Sequence, residues 1–89
     1  MEIRQNKFGR YECPCCGYFT FFDKPINTFQ DCPVCLWEID GIQNENPSYV
    51  GGANQVSLNQ AKENFQLFGA VEQRLKQFSR LPTEEELEA

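Results

Sequence analysis

Two short cysteine motifs constrain this chain more than any other feature of its sequence. Each has the form Cys-Pro-x-Cys, the first over residues 13–16 and the second over residues 32–35, with fifteen residues between them. This spacing is typical of four-cysteine metal sites. The proline after the first cysteine fixes φ near −65° and starts a turn, so both thiolates of a motif can face one cation. The sequence therefore predicts a single metal site. Its ligands are Cys13, Cys16, Cys32 and Cys35.

Disulfide bonds and free buried thiols are the alternatives to a metal. The chain has five cysteines, an odd number, and its first residues, Met1 to Asn6, include no apolar stretch of the signal-peptide kind. We therefore expect a cytoplasmic protein, in surroundings that disfavour disulfides. A chain of 89 residues can bury only a small apolar core, which alone gives marginal stability. Metal binding is the prediction, and Cys15, at the variable position of the first motif, is predicted not to be a ligand.

Zinc and iron both suit a site of four thiolates. Residues 11–18 and 32–35 resemble the two knuckles of rubredoxin, and this resemblance implies an iron centre that transfers electrons. Rubredoxins, however, have a much longer stretch between the two pairs and usually a glycine after the second, where this chain has Leu36. These departures favour Zn²⁺ over iron. A zinc ion with four cysteine ligands has no open coordination position, so it would stabilise the fold and catalyse nothing.

The composition excludes several classes of function. The chain contains no histidine, so it has no imidazole base, no Ser-His or Cys-His nucleophile and no histidine-ligated metal. We therefore expect no enzymatic activity. The net charge of −5 disfavours binding to the phosphates of a nucleic acid. No stretch of the sequence is apolar and long enough to span a membrane. Another protein is therefore the expected partner.

Surplus aromatic side chains near the cysteine motifs agree with a protein partner. They are Phe19, Phe21, Phe22, Phe29 and Trp37. Because the chain lacks a basic groove, these side chains suit a core or a protein interface better than the stacking of bases. We hypothesise a non-catalytic interaction module, for example an immunity-type neutraliser of a toxin. The alternative is a redox protein that acts through an iron centre or through Cys15.

Local signals divide the single domain, residues 1–89, into four segments. Residues 8–40 form the four-cysteine metal ribbon with short antiparallel strands, and residues 41–56 form a loop. Residues 57–80 are a helical segment, and residues 81–89 are an acidic tail with four glutamates and no basic residue. The predicted fold is therefore a small α+β zinc ribbon with a C-terminal amphipathic helix packed on it.

The helical segment has clear signals at both ends. Ser57 is a suitable N-cap, and Gly69 suits the left-handed residue that ends a helix. Between them, apolar residues recur with the helical period and form one face. They are Leu58, Ala61, Phe65 and Phe68. A second helix is predicted across residues 70–79, with Val71, Leu75 and Phe78 on one side. Thr83 and Glu86 can cap a last acidic turn.

Three stretches combine into a more specific pattern. They are residues 11–17 (YECPCCG), 32–40 (CPVCLWEID) and 51–69 (GGANQVSLNQAKENFQLFG). Together they resemble the cysteine-rich CPCC family of small bacterial proteins, over roughly residues 10 to 86. The resemblance implies a zinc ribbon followed by a helix, but it does not indicate a biochemical mechanism.

Overall fold

Four short helices, joined by irregular segments, make up the regular structure of residues 3–88, which the computed structural model describes. In chain order they are α1 (Gly41–Glu45), α2 (Leu58–Phe68), a 3-10 helix (Gln73–Phe78) and α3 (Glu84–Leu87). The Cα radius of gyration is 11.9 Å, close to the value of about 12 Å for a compact domain of this length. No helix within the described residues is both long and apolar enough to cross a lipid bilayer.

Strand pairing within residues 3–88 is limited to isolated antiparallel β-bridges. They join Gln5 to Tyr11, Tyr11 to Phe21, and Asp31 to Glu38. The sequence predicts short strands in residues 8–40, and the structure reduces them to these single residue pairs. Tight turns at residues 13–17 and 32–36 interrupt the extended chain.

The buried core surrounds the two cysteine motifs. Trp37, Ile39 and Leu58 are fully buried. They share one cluster with Cys13, Cys15, Phe21, Cys32, Val34, Cys35, Ala61 and Val71. Because cysteines make up much of this cluster, the apolar core and the predicted metal site are the same region of the molecule.

Helix α2 has the bounds that its end signals predict. Ser57 Oγ accepts a hydrogen bond from the Gln60 N–H at 3.1 Å, and Gly69 is left-handed with φ 81°. Of the predicted apolar face, Leu58 and Ala61 are fully buried and the two phenylalanines are half-buried. The ring of Phe65 meets Tyr18 edge-on, with 6.2 Å between centroids. The helix therefore packs against the segment that follows the first cysteine motif.

The second predicted helix is shorter and of a different type. The 3-10 helix begins at Gln73 rather than residue 70. Before it, the Val71 N–H donates to the carbonyl of Cys35 at 2.9 Å, and the Val71 carbonyl accepts from the Asn64 side chain at 2.8 Å. These bonds tie the backbone to other segments, so it cannot enter a helix there. Phe78, predicted to lie on the apolar face, is 64% exposed.

A short helix stands where the sequence predicts a loop. Within residues 41–56, the first five residues form α1, with Asp40 as N-cap. The Asp40 carboxylate accepts from the N–H groups of Ile42 and Gln43, at 2.9 and 3.3 Å. The loop prediction is wrong for these residues because the buried side of α1 is polar, so no apolar period marks it.

Gln43 organises the irregular chain that follows α1. Its side chain is fully buried. The amide nitrogen donates to the carbonyls of Tyr49, Asn54 and Val56, at 3.3, 3.3 and 3.0 Å. The amide oxygen accepts from the Asn54 backbone and side chain, at 3.1 and 2.9 Å. The Gln43 side chain thus gives these backbone groups the hydrogen-bond partners that a helix or a sheet would otherwise provide.

Gly52 lies against this network with no room for a side chain. A Cβ there would lie 2.6 Å from Asp40 Oδ2 and 2.7 Å from Gln43 Cδ. Both side chains are buried and hydrogen-bonded, so we expect Gly52→Ala to lower the free energy of unfolding by about 1–3 kcal/mol, measured by urea denaturation. Gly41→Ala is the control, because its Cβ would meet only the exposed Asn27 side chain, at 3.1 Å. Equal losses in the two variants would contradict the expectation.

The acidic tail folds back onto the start of the chain. The Asn6 side-chain amide donates to the carbonyls of Glu85 and Glu88, at 2.7 and 2.9 Å. The Phe19 N–H donates to the carbonyl of Glu86 at 2.8 Å. Helix α3 is therefore docked on two earlier segments.

The carboxylate of Glu86 is the buried charge that holds this tail. Its side chain is 3% exposed. Arg80 donates two hydrogen bonds to it, at 2.8 and 2.9 Å, the Thr83 N–H donates a third at 2.9 Å, and Arg10 lies 3.6 Å away. The Thr83 bond is one half of the predicted capping box. These contacts, the Arg80 hydrogen bonds above all, lower the pKa of Glu86 below its ordinary value.

A lowered pKa makes the contribution of Glu86 depend on pH. The stabilisation is complete above the ordinary glutamate pKa of about 4.3 and is lost as the pH falls through the lower value of the folded state. We expect Glu86→Gln to lower the free energy of unfolding at pH 7 by about 2 kcal/mol. The difference from wild type should begin to shrink as the pH falls below about 4.3, because protonation of the Glu86 carboxylate removes the same charge that the variant lacks. Glu85→Gln, at an exposed side chain, is the control. A difference that is constant with pH would contradict this role.

Candidate metal centre

Each of the two cysteine motifs folds into a tight turn, and the two turns are of the same kind. In the first, the Gly17 N–H donates to the carbonyl of Cys13 at 3.0 Å; in the second, the Leu36 N–H donates to the carbonyl of Cys32 at 2.9 Å. The residue that closes each turn is left-handed, with φ 80° at Gly17 and 71° at Leu36. Glycine adopts this conformation freely, whereas leucine pays about 1–2 kcal/mol of strain. The second turn therefore keeps its conformation despite backbone strain at Leu36.

The turns bring the four predicted ligands together. The Sγ atoms of Cys13, Cys16, Cys32 and Cys35 all lie within 4.8 Å of one another. The sulfurs of Cys13 and Cys35 are 3.7 Å apart, and those of Cys16 and Cys32 are 3.8 Å apart. A tetrahedral site with metal–sulfur bonds of about 2.3 Å has sulfur–sulfur edges of about 3.8 Å. Two of the six sulfur–sulfur distances thus match the edge of such a tetrahedron, and all four thiols are close enough together to hold one metal ion.

Burial closes this cluster to solvent on most sides. Cys13, Cys32 and Cys35 are buried, and Cys16 is half-buried. All four are free thiols. A buried thiolate without a counter-charge is strongly disfavoured, and a cation surrounded by four sulfurs removes that cost. The chemistry of these donors therefore fits a thiophilic divalent metal.

Without a bound cation, the pKa values of the clustered thiols shift in different directions. Burial raises the pKa of Cys13 and of Cys35 well above the ordinary value. Hydrogen bonds from neighbouring thiols, that from Cys13 first, lower the pKa of Cys32. Without a cation, these pKa shifts favour the thiolate at Cys32 and the neutral thiol at Cys13 and at Cys35. Metal binding deprotonates coordinating thiols outright, so the charge state of all four depends on the metal.

The fifth cysteine lies beside the cluster and outside it. Cys15 is 8% exposed and belongs to the buried core, but it is not among the four thiols that converge. The Cys15 sulfur therefore lies apart from the four sulfurs that the sequence predicts as ligands. Because it is buried, its thiol also has little direct contact with solvent.

The aromatic residues near the motifs divide between core and surface. Phe19, Phe21 and Trp37 are buried, whereas Phe22 and Phe29 are exposed. The buried Trp37 donates its indole N–H to Asn44 Oδ1 at 3.2 Å.

Sequence reasoning missed three residues that support this region. They are Thr20, which contacts Cys32, and Asp40 and Gln43, which order the chain after Trp37. No local sequence signal marks Thr20 or Gln43. The Asp40 N-cap could have been found, because aspartate is one of the preferred residues at the start of a helix.

A comparison with models of protein families gives a match. The model of a family described as Cysteine-rich CPCC matches residues 11–86, which include both cysteine motifs, α2 and the buried Glu86. A search of curated proteins found no match.

Proposed function

The chain belongs to the cysteine-rich CPCC family, and on that premise we propose that it is a non-catalytic zinc ribbon that binds another protein. The observation that carries the proposal is the convergence of four cysteine sulfurs in one largely buried cluster. A site of this kind has no open position for a substrate. The metal would serve to join residues 13–16 to residues 32–35.

The scarcity of regular structure supports a structural metal. Among residues 3–88, β-type pairing is limited to isolated bridges. Without a β-ladder, few backbone bonds connect the two cysteine turns. Four metal–sulfur bonds would supply that connection, since structural zinc sites contribute folding free energy directly.

Exposed apolar side chains support a protein partner. Among residues 3–88, nine large apolar side chains are more than half exposed. They are Phe22, Ile26, Phe29, Ile42, Val50, Leu67, Phe78, Leu81 and Leu87. Three of them are phenylalanines, an aromatic residue that is enriched at protein interfaces. A toxin that the domain neutralises, as an immunity-type protein would, is one partner of this kind.

The metal is tested by native mass spectrometry of protein expressed with equal amounts of zinc and iron. We expect one Zn²⁺ per chain and a colourless sample. A red protein with one iron would overturn the zinc assignment in favour of the rubredoxin-like alternative, because ferric iron with four thiolate ligands absorbs visible light.

The partner is tested with two full-length baits, the wild type and Phe78→Ser/Leu81→Ser. Proteins captured by the wild type are purified and their Kd for each bait is measured. We expect the double variant to bind at least tenfold more weakly with an unchanged melting temperature. If the partner is a toxin, co-expression of the wild type should relieve its growth inhibition. Equal affinity for both baits would contradict an interface at these residues.

A further inference from the structure

A hydroxyl group contacts one of the four cysteine sulfurs from outside both motifs. Thr20 Oγ1 lies 3.2 Å from Cys32 Sγ, and the two residues are 5% and 0% exposed. A thiolate bound to a metal carries no proton, so the hydroxyl must be the donor. For residues 3–88, this sulfur is the one hydrogen-bond partner of the Thr20 hydroxyl.

The backbone on both sides of Thr20 is fixed. On one side, the Phe19 N–H donates to the carbonyl of Glu86 in α3 at 2.8 Å; on the other, Phe21 and Tyr11 exchange two backbone hydrogen bonds, at 2.8 and 3.3 Å. The hydroxyl is therefore held in place by two distant parts of the chain. A donor fixed in this way does not need to be reoriented when the thiol loses its proton.

We propose that Thr20 is a positioning residue of the metal centre, whose hydroxyl donates a hydrogen bond to the Cys32 thiolate, orients that ligand and lowers the electron density that its sulfur gives to the metal. The proposal rests on the metal centre of the proposed function. It makes the four sulfurs unequal, because within residues 3–88 a hydroxyl group contacts Cys32 Sγ and none of the other three sulfurs. Partners of metal ligands commonly tune a site in this way.

Cobalt(II) tests the proposal, because its sulfur-to-metal charge-transfer band reports the electron density on the ligands. The full-length proteins are stripped of metal under reducing conditions and titrated with Co²⁺, and Zn²⁺ affinity is then measured by competition with a chelator. We expect Thr20→Val to move the band to longer wavelength and to weaken Zn²⁺ binding about tenfold. Thr20→Ser, which keeps the hydroxyl, should restore the band and the affinity.

Thr28→Val is the matched control, because Thr28 is exposed and makes no contact with a cysteine sulfur. It should leave both measurements unchanged. If Thr20→Val lowers the melting temperature but keeps the wild-type band and affinity, its role is packing alone and the proposal is overturned. If Thr20→Val does not fold, Thr20→Ala takes its place, read by the band of the metal-bound protein; an unchanged band again overturns the proposal. A wild type that gives no four-sulfur cobalt spectrum refutes the proposed function itself.

Discussion

Cys32→Ser is expected to abolish the native fold. Cys32 is fully buried and its sulfur is one of the four that converge. Structural zinc supplies on the order of 10–16 kcal/mol to the folding of small domains, which equals or exceeds the whole stability of a typical domain. Losing one of four ligands should therefore remove the cooperative thermal transition and the near-ultraviolet circular dichroism of the buried Trp37. Native mass spectrometry should show protein without metal.

Cys15→Ser is the matched control for this prediction. It makes the same chemical change at a cysteine that is nearly as buried but lies outside the four converging thiols. We expect this variant to keep one metal per chain and to melt within a few degrees of the wild type. If Cys15→Ser releases the metal, the ligands of the first motif are misassigned. A native-like transition in metal-free wild type would show that folding does not depend on the metal.

Leu58→Ala should lower the free energy of unfolding by about 3 kcal/mol. Leu58 opens α2 and is 0% exposed in the cluster that contains the cysteines, so truncation leaves a cavity beside the metal centre. Leu67→Ala is the matched control on the same helix, because Leu67 is 77% exposed and the change in helix propensity is the same. Its cost should stay within about 0.5 kcal/mol. Both are measured by urea denaturation of zinc-saturated protein.

Comparable losses in these two variants would show that α2 does not depend on the packing described above. A large loss in Leu67→Ala alone would point to a role for the exposed side of the helix in the folded monomer. The comparison thus separates the contribution of the buried face of α2 to the free energy of unfolding from the contribution of helix propensity.

The sequence predicts those parts of the structure that depend on local chemistry. The two cysteine turns follow from proline and from the residue after the second cysteine, and even the strained φ of Leu36 could be anticipated. The ends of α2 follow from Ser57 and Gly69 for the same reason. In each case, residues within one or two turns of the chain determine the conformation.

The parts that could not be predicted depend on contacts between distant residues. A glutamine carries no signal that it will be buried, yet Gln43 orders residues 49–56 through its side-chain amide. The start of the 3-10 helix depends on a bond between Val71 and Cys35, which are far apart in the sequence. The same is true of Thr20 at the candidate metal centre, since its role depends on which sulfur the fold brings to it.

The docking of the acidic tail has a consequence for the order of events during synthesis. Both cysteine motifs are complete once Cys35 has been made, whereas the carbonyl of Glu85, which accepts from Asn6, is made fifty residues later. Translation proceeds at about 5–20 residues per second, so the thiols are available for seconds before the tail can close over residues 6 and 19. All four candidate ligands are therefore made before the tail can dock on residues 6 and 19, so a metal that binds them would not have to wait for the last residues of the chain.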